Sequence, residues 1–229
     1  MVNAQTVQRE LTEPREGVSL DVYDRTTGIL IGDVADAQSR KVGALEGVDS
    51  IGSKLYDSAQ SAVAIVIGVE RRKGDRVLPF AYSRVALESP VQSGTLLFDS
   101  GGLAVAFYYV HHDLAPGQGY IVPVQAVMRA HSDYVQNGSI SRSWAGLIVT
   151  SNGTVPEVSS VRPDSPAALA GIKRGDILTQ VGIRKVSSYL EVVDAFYYLI
   201  PGVTETFRVL RDGKPLSMQV KSVSRDSLY

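Results

Sequence analysis

Ser93 is the residue best placed to act as a nucleophile, since it stands with Gly94 in a short polar loop before an apolar run. A serine hydroxyl attacks a carbonyl only when a general base, most often a histidine oriented by a carboxylate, takes its proton. The chain has three histidines, His111, His112 and His131, and all follow Ser93 in sequence. No histidine precedes it, so this base has no upstream source in the chain. His111, His112 and Asp113 could be read as metal ligands, but adjacent side chains of a strand point to opposite faces, which favours a solvated loop at a strand end. His131, close to Asp133, reads as a surface residue. Asp24, Asp33, Asp36 and Asp49 could form a carboxylate site, although their spacing follows turns. There is no cysteine, so thiolate chemistry and disulfides are excluded. The reading is of no metal and no cofactor.

Binding is the second kind of chemistry to consider. Residues 144–149, Trp144, Ala145, Gly146, Leu147, Ile148 and Val149, place one glycine before an apolar run. Val192, Val193 and Phe196 lie in a helical pattern over residues 188–199 and are apolar candidates for a groove wall or for the core. Tyr108–Tyr109 and Tyr197–Tyr198 are aromatic pairs of the kind found at core edges and interfaces, the second pair being the better candidate for a protein contact.

The elements that must position these residues are mostly strands. The chain has 229 residues, 44% hydrophobic, with a net charge of -1. That suffices for one or two domains with a sizeable core, and gives no electrostatic reason to expect nucleic acid or an anionic membrane. Residues 1–17 are polar and charged, lack apolar periodicity and read as a flexible arm with no signal-peptide core. The longest apolar run, residues 62–69, is too short to span a bilayer. Strands are expected over 18–23, 28–34, 53–56 and 62–69, with a charged hairpin tip at 71–76. Two further strands flank the turn at 99–102, and another covers 119–124. A helix over 124–136 presents Val124, Val127, Met128 and Val135 on one face and stops at Asn137–Gly138. Beyond it the order is strand, strand, short helix after Ser165–Pro166, strand, long helix capped at Ser187 or Ser188, and a strand pair turning at residues 211–214. On the long helix Leu190, Val193, Phe196 and Tyr197 are spaced for burial.

Three segments carry a resemblance. Residues 165–178 (SPAALAGIKRGDIL), the helix after them and FRVLRDGK at 207–214 resemble the PDZ domain of the HtrA/Deg family of trypsin-like serine proteases. Upstream, residues 99–106 resemble the strand pair after that family's nucleophile loop, 119–129 its closing strand and linker helix, and 142–147 the entry to its PDZ domain. The resemblance spans roughly residues 42–224. The family's nucleophile loop reads Gly-Asn-Ser-Gly-Gly-Pro-Leu, whereas Val91, Gln92, Ser93, Gly94, Thr95, Leu96 and Leu97 stand here. A β-branched valine fits poorly where a loop must bend sharply toward an oxyanion. Where the family carries its aspartate, Arg40 and Lys41 stand in the nearest matching segment, residues 39–45. A full barrel takes on the order of 100 residues, so the first barrel is lost or reduced.

The expected fold is therefore mainly β: a flexible arm at 1–17, a degenerate trypsin-like domain with its linker helix at 18–139, and a PDZ domain at 140–229. The implied function is that of a non-catalytic relative whose PDZ domain binds protein C-termini, or docks the chain as a scaffold subunit in a larger assembly. In that reading Trp144–Leu147 would bind the terminal carboxylate and Leu147–Val149 would pair with the peptide. One alternative is an active serine endopeptidase using Ser93, with an upstream half supplied by another chain. Another is a purely structural subunit with an occupied groove. The chain's own last residues, 226–229, end in an apolar side chain and could also enter such a groove. The resemblance implies the cell envelope and trimers, although the family's trimer contacts lie in the reduced N-terminal region.

Overall fold

The computed structural model describes residues 4–6, 18–23, 29–34, 50–73, 76–110 and 114–225. Two compact units divide the chain, Met1–Ile140 and Ser141–Tyr229.

In the first unit β1 (Ala4–Thr6), β2 (Val18–Tyr23) and β3 (Ile29–Val34) form a sheet of order β1-β3-β2. The expectation of a flexible arm thus needs correction, because Ala4–Thr6 pair with Ile29–Ile31. The free edge of β3 offers backbone donors and acceptors that a short polar strand can satisfy whatever its side chains. Six further strands close into a barrel: β4 (Lys54–Tyr56), β5 (Ala62–Lys73), β6 (Arg76–Leu87), β7 (Leu96–Phe98), β8 (Ala104–Tyr109) and β9 (Gln118–Pro123), in the order β4-β5-β6-β9-β8-β7. β5 and β6 pair as far as Lys73 and Arg76, so the ladder extends through part of the expected charged tip. Leu55, Val66, Val85, Leu97, Val105, Tyr108 and Ile121 fill the barrel. Inside it the Tyr108 hydroxyl donates to the Gln118 carbonyl at 3.2 Å, and burial pushes this phenol's pKa up. Its ring fills the space where a Cβ on Gly119 would stand, only 2.2 Å from Tyr108 Cε2, so β9 needs a glycine there.

The helix α1 (Val124–Asn137) follows β9 and ends at Gly138, whose N–H donates to the Tyr134 carbonyl. Val124 and Val127 are buried as expected, but Val135 is 67% exposed. The buried face instead continues through Ala126, Ala130, Arg129 and Asp133, the last two forming an ion pair one turn apart. Paired, the two charges can follow the buried stripe; alone, either would be costly there.

The second unit holds β10 (Ser143–Trp144), β11 (Leu147–Val149), β12 (Val158–Val161), α2 (Pro166–Leu169), β13 (Ile177–Val181), β14 (Arg184–Lys185), α3 (Tyr189–Tyr197), β15 (Thr204–Arg211), β16 (Lys214–Lys221) and β17 (Val223–Ser224). A sheet of order β14-β13-β15-β16 lies beside two strand pairs, β11-β12 and β10-β17. The core gathers Val158, Leu178, Val181, Val192, Ala195, Leu199, Phe207 and Val209. On α3 the fully buried residues are Val192 and Ala195; Leu190, Val193, Phe196 and Tyr197 are half-buried. The core-facing stripe is therefore rotated from the expected one. Ser188 caps α3 by accepting from Glu191 N–H at 3.3 Å, and the Glu191 carboxylate accepts from the N–H and hydroxyl of Ser187 at 2.7 Å each. Of the two serines the sequence offers as cap, Ser188 is the one, and Glu191 three residues on reaches back to Ser187.

Asp176 is 1% exposed yet charged. Arg211 grips it with two bonds, Nε to Oδ1 at 2.7 Å and Nη2 to Oδ2 at 2.8 Å, while Lys173 N–H donates to Oδ2 at 2.8 Å. Burial pushes this carboxyl's pKa up, but the bond from Arg211, the Lys173 amide and the charges of Arg211 and Lys173 outweigh it, leaving the pKa below the ordinary value. Arg211 also donates to the Gly171 carbonyl at 2.7 Å, so one side chain ties β15 to the end of α2 and to the entry of β13.

Candidate functional site: a backbone anion nest beside an unpaired strand edge

The site begins where β10 gives way to Ala145 and Gly146. β10 is held by its pairing with β17, Trp144 opposite Val223, and by Ser143, whose hydroxyl donates to the Leu199 carbonyl at 2.7 Å. Downstream, the Ala145 carbonyl accepts from Ala167 N–H at 2.8 Å, and the Gly146 carbonyl accepts from Arg162 N–H at 2.8 Å and from the Ser165 hydroxyl at 3.3 Å. In a trans peptide the carbonyl and the following N–H point in opposite directions. With both carbonyls turned onto α2 and β12, the N–H groups of Gly146 and Leu147 point the other way. Among the described residues Gly146 N–H has no hydrogen-bond acceptor, and Leu147 N–H is turned from β12 toward the open side. Successive free N–H groups turned outward in this manner are an anion-binding arrangement.

Gly146 is the pivot. Its φ is +80°, and a Cβ there would lie 2.1 Å from Ser165 Cβ, 2.6 Å from Ser165 Oγ and 2.9 Å from Trp144 Cη2. Ser165 is 1% exposed and is also the cap of α2, accepting from Ala168 N–H at 3.3 Å. One serine therefore packs against the glycine, binds its carbonyl and starts the next helix.

β11 supplies the second part. Leu147 stands opposite Val161, Ile148 opposite Ser160 and Val149 opposite Val158, with a bulge between Ile148 and Val149. The bonds Arg162 N–H to Gly146 carbonyl and Thr150 N–H to Glu157 carbonyl flank the Leu147 and Val149 pairs. In an antiparallel ladder that pattern turns the N–H and C=O of Leu147 and Val149 away from β12. Among the described residues β11 has β12 as its one neighbour, so those groups face an unpaired edge.

The other expected site residues separate into two groups. Leu147, Val149 and Phe196 lie on the core side, with Phe196 edge-on to Phe207 at 5.7 Å. Val192 is 4% exposed and belongs to the core rather than to a groove wall. Val193 is half-buried, and Ile148 points outward at 65% exposure. Trp144 is a strand residue whose ring carries the Arg162 guanidinium 5.7 Å from its centroid. Sequence reasoning missed Arg162 and saw Ser165 only as a cap. The serine carries a readable local signal, but its second contact is made across the fold.

Ser93, the candidate nucleophile, lies in a turn against β8. Gly94 N–H donates to the Tyr108 carbonyl at 2.8 Å, Thr95 N–H to the Gln92 carbonyl at 3.1 Å, and Val110 N–H to Ser93 Oγ at 3.3 Å. Val91, where the family loop has glycine, packs against the barrel core. His131 is half-buried on α1. His111, His112, Asp113, Asp24, Asp36, Asp49, Arg40, Lys41 and the chain's last four residues lie outside the described residues, and Asp33 is described only as part of β3. Among the described residues no three His, Asp or Glu side chains cluster as metal ligands would, and no helix is long and apolar enough to cross a membrane.

Residues 139–222 match the family model described as PDZ domain. A probable periplasmic serine endoprotease of DegP-like type from Marinomonas sp. (strain MWYL1) is 25% identical over 232 residues, covering 93% of this chain and 48% of its own length. The periplasmic serine endoprotease DegP of Escherichia coli (strain K12) is 24% identical over 228 residues, covering 91% of this chain and 47% of its own length. The chain thus spans about half the length of the curated relatives it matches. Among solved structures, the HtrA-type protease AlgW with tripeptide aligns with a TM-score of 0.55 at 17% identity, covering 91% of this chain and 77% of that one. The architecture is accordingly that of a trypsin-like barrel followed by a PDZ domain.

Proposed function

Taking as premise that this chain carries a PDZ domain and is homologous to the HtrA/Deg serine endoproteases, we propose that it captures protein C-termini without cleaving them. The observation that carries this reading is the pair of outward-turned N–H groups at Gly146 and Leu147, next to the unpaired edge of β11. A terminal carboxylate supplies the acceptors those donors lack, and the peptide behind it extends the β11–β12 pair by one strand. Leu147 and Phe196, half-buried against the core, offer the apolar surface for the last side chain.

The absence of catalysis is supported at the barrel. Ser93 Oγ already accepts from Val110 N–H, and Val91, where the family loop has glycine, packs against the barrel core. We place the chain in the cell envelope, as its DegP-like relatives are described as periplasmic.

The test is a titration of the whole chain with fluorescent peptides ending in an apolar residue, each with a free or an amidated terminus. Binding that requires the free carboxylate is the expected result. Equal binding of amidated peptides, or none by any peptide, would leave this unit a rigid docking surface instead.

A further inference from the structure

The pairing of β11 with β12 fixes which side chains share the outer face. Ile148 stands opposite Ser160, and just past the strand ends Arg162 N–H donates to the Gly146 carbonyl at 2.8 Å. Directly opposed residues of an antiparallel pair project to the same face. The Arg162 guanidinium stands over the Trp144 ring, 5.7 Å from its centroid. Arg162 is exposed, and among the described residues its guanidinium has no carboxylate partner. Asp164, exposed two residues on, forms no ion pair with it.

A strand added to the free edge of β11 alternates its side chains between faces. If the last side chain of a bound peptide turns to the core side with Leu147 and Val149, the one before it turns to the face of Ile148 and Arg162. We infer that Arg162, braced on Trp144, selects a carboxylate side chain at the penultimate residue of the bound C-terminus. This rests on the capture of C-termini proposed above. A guanidinium without a carboxylate partner of its own has N–H donors for two parallel bonds to a peptide carboxylate. Its charge also disfavours lysine or arginine at the same peptide position.

The experiment uses the full chain and four fluorescent decapeptides ending in valine: penultimate Glu, Lys or Gly with a free terminus, and the Glu peptide amidated. The Glu peptide is expected to bind up to about fivefold tighter than the Lys peptide at low salt, the scale of an exposed ion pair. Salt at about 0.5 M shrinks the difference. Arg162→Ala removes it and Arg162→Glu reverses it, each read as the ratio of Glu-peptide to Lys-peptide affinity so that a change common to all free-terminus peptides cancels. Equal affinities for Glu and Lys peptides, with dependence on the free terminus intact, overturn the inference and leave the capture standing. If no free-terminus peptide binds, the capture itself fails, and the inference with it.

Discussion

Replacing Gly146 with alanine puts the geometry of the nest under the most direct strain. Two costs add. An L-residue held at φ +80° pays about 1–2 kcal/mol for a left-handed backbone. The new Cβ also stands 2.1 Å from Ser165 Cβ, a contact that forces one of the two to move. Ser165 cannot rotate away, since Cβ is fixed to its backbone and its hydroxyl serves both Gly146 and Ala168. Displacing it disturbs the α2 cap, worth about 1 kcal/mol. The expected total is about 2–4 kcal/mol from the second unit. Trp144 is the single tryptophan and lies two residues away, so its fluorescence in a urea titration reports this unit. With an m-value of about 1–1.5 kcal/mol/M for a unit of this size, the midpoint falls by about 2 M. Ser165→Gly in the Gly146→Ala background removes the clash and should return about 1 kcal/mol of stability relative to additive losses. A loss below about 0.5 kcal/mol for Gly146→Ala, or strict additivity in the double variant, would refute the packing argument.

Two more expectations concern charge and chemistry. Asp176→Asn removes the charge that Arg211 grips with two bonds and should cost about 2–4 kcal/mol in the same titration, since a charged partner is left half-buried. In the parent chain the Asp176 pKa is lower folded than its unfolded value of about 3.9. Its contribution is therefore full above that value and fades as pH falls through the folded pKa. Urea midpoints compared between neutral pH and acid should show Asp176→Asn approaching the parent only at the acidic end. At Ser93, Ser93→Ala is expected to leave peptide binding unchanged, and the parent should resist labelling by a fluorophosphonate. Labelling that the variant abolishes would restore the protease reading.

Much of the fold was legible because it rests on local signals. Alternating apolar runs gave most of the barrel strands, and the Asp99 turn and the Ser165 and Ser188 caps are short-range hydrogen bonding that neighbouring residues determine. Where several residues of one segment compete for one core, the reading was less secure. On α1 the sequence offers Val135, yet the buried stripe runs through two alanines and an Arg129–Asp133 pair, because a charge can be buried once its partner is one turn away. On α3 hydrophobicity could not separate Val192, which is core, from Val193 and Phe196, which remain half-exposed, since the rotation of a short helix is set by what it packs against.

The amino-acid sequence by itself determined that residues 1–92 hold no histidine, that these 229 residues hold no thiol, and that a glycine stands between Trp144–Ala145 and an apolar strand. Those are statements about residue types, and folding does not alter them. Only the tertiary structure decided that the glycine opens a nest. Its carbonyl, and that of Ala145, are turned aside by Arg162, Ser165 and Ala167, which lie 16 to 22 residues downstream. The direction of a free N–H depends on where the neighbouring carbonyl finds its partner, and that partner is chosen by the fold.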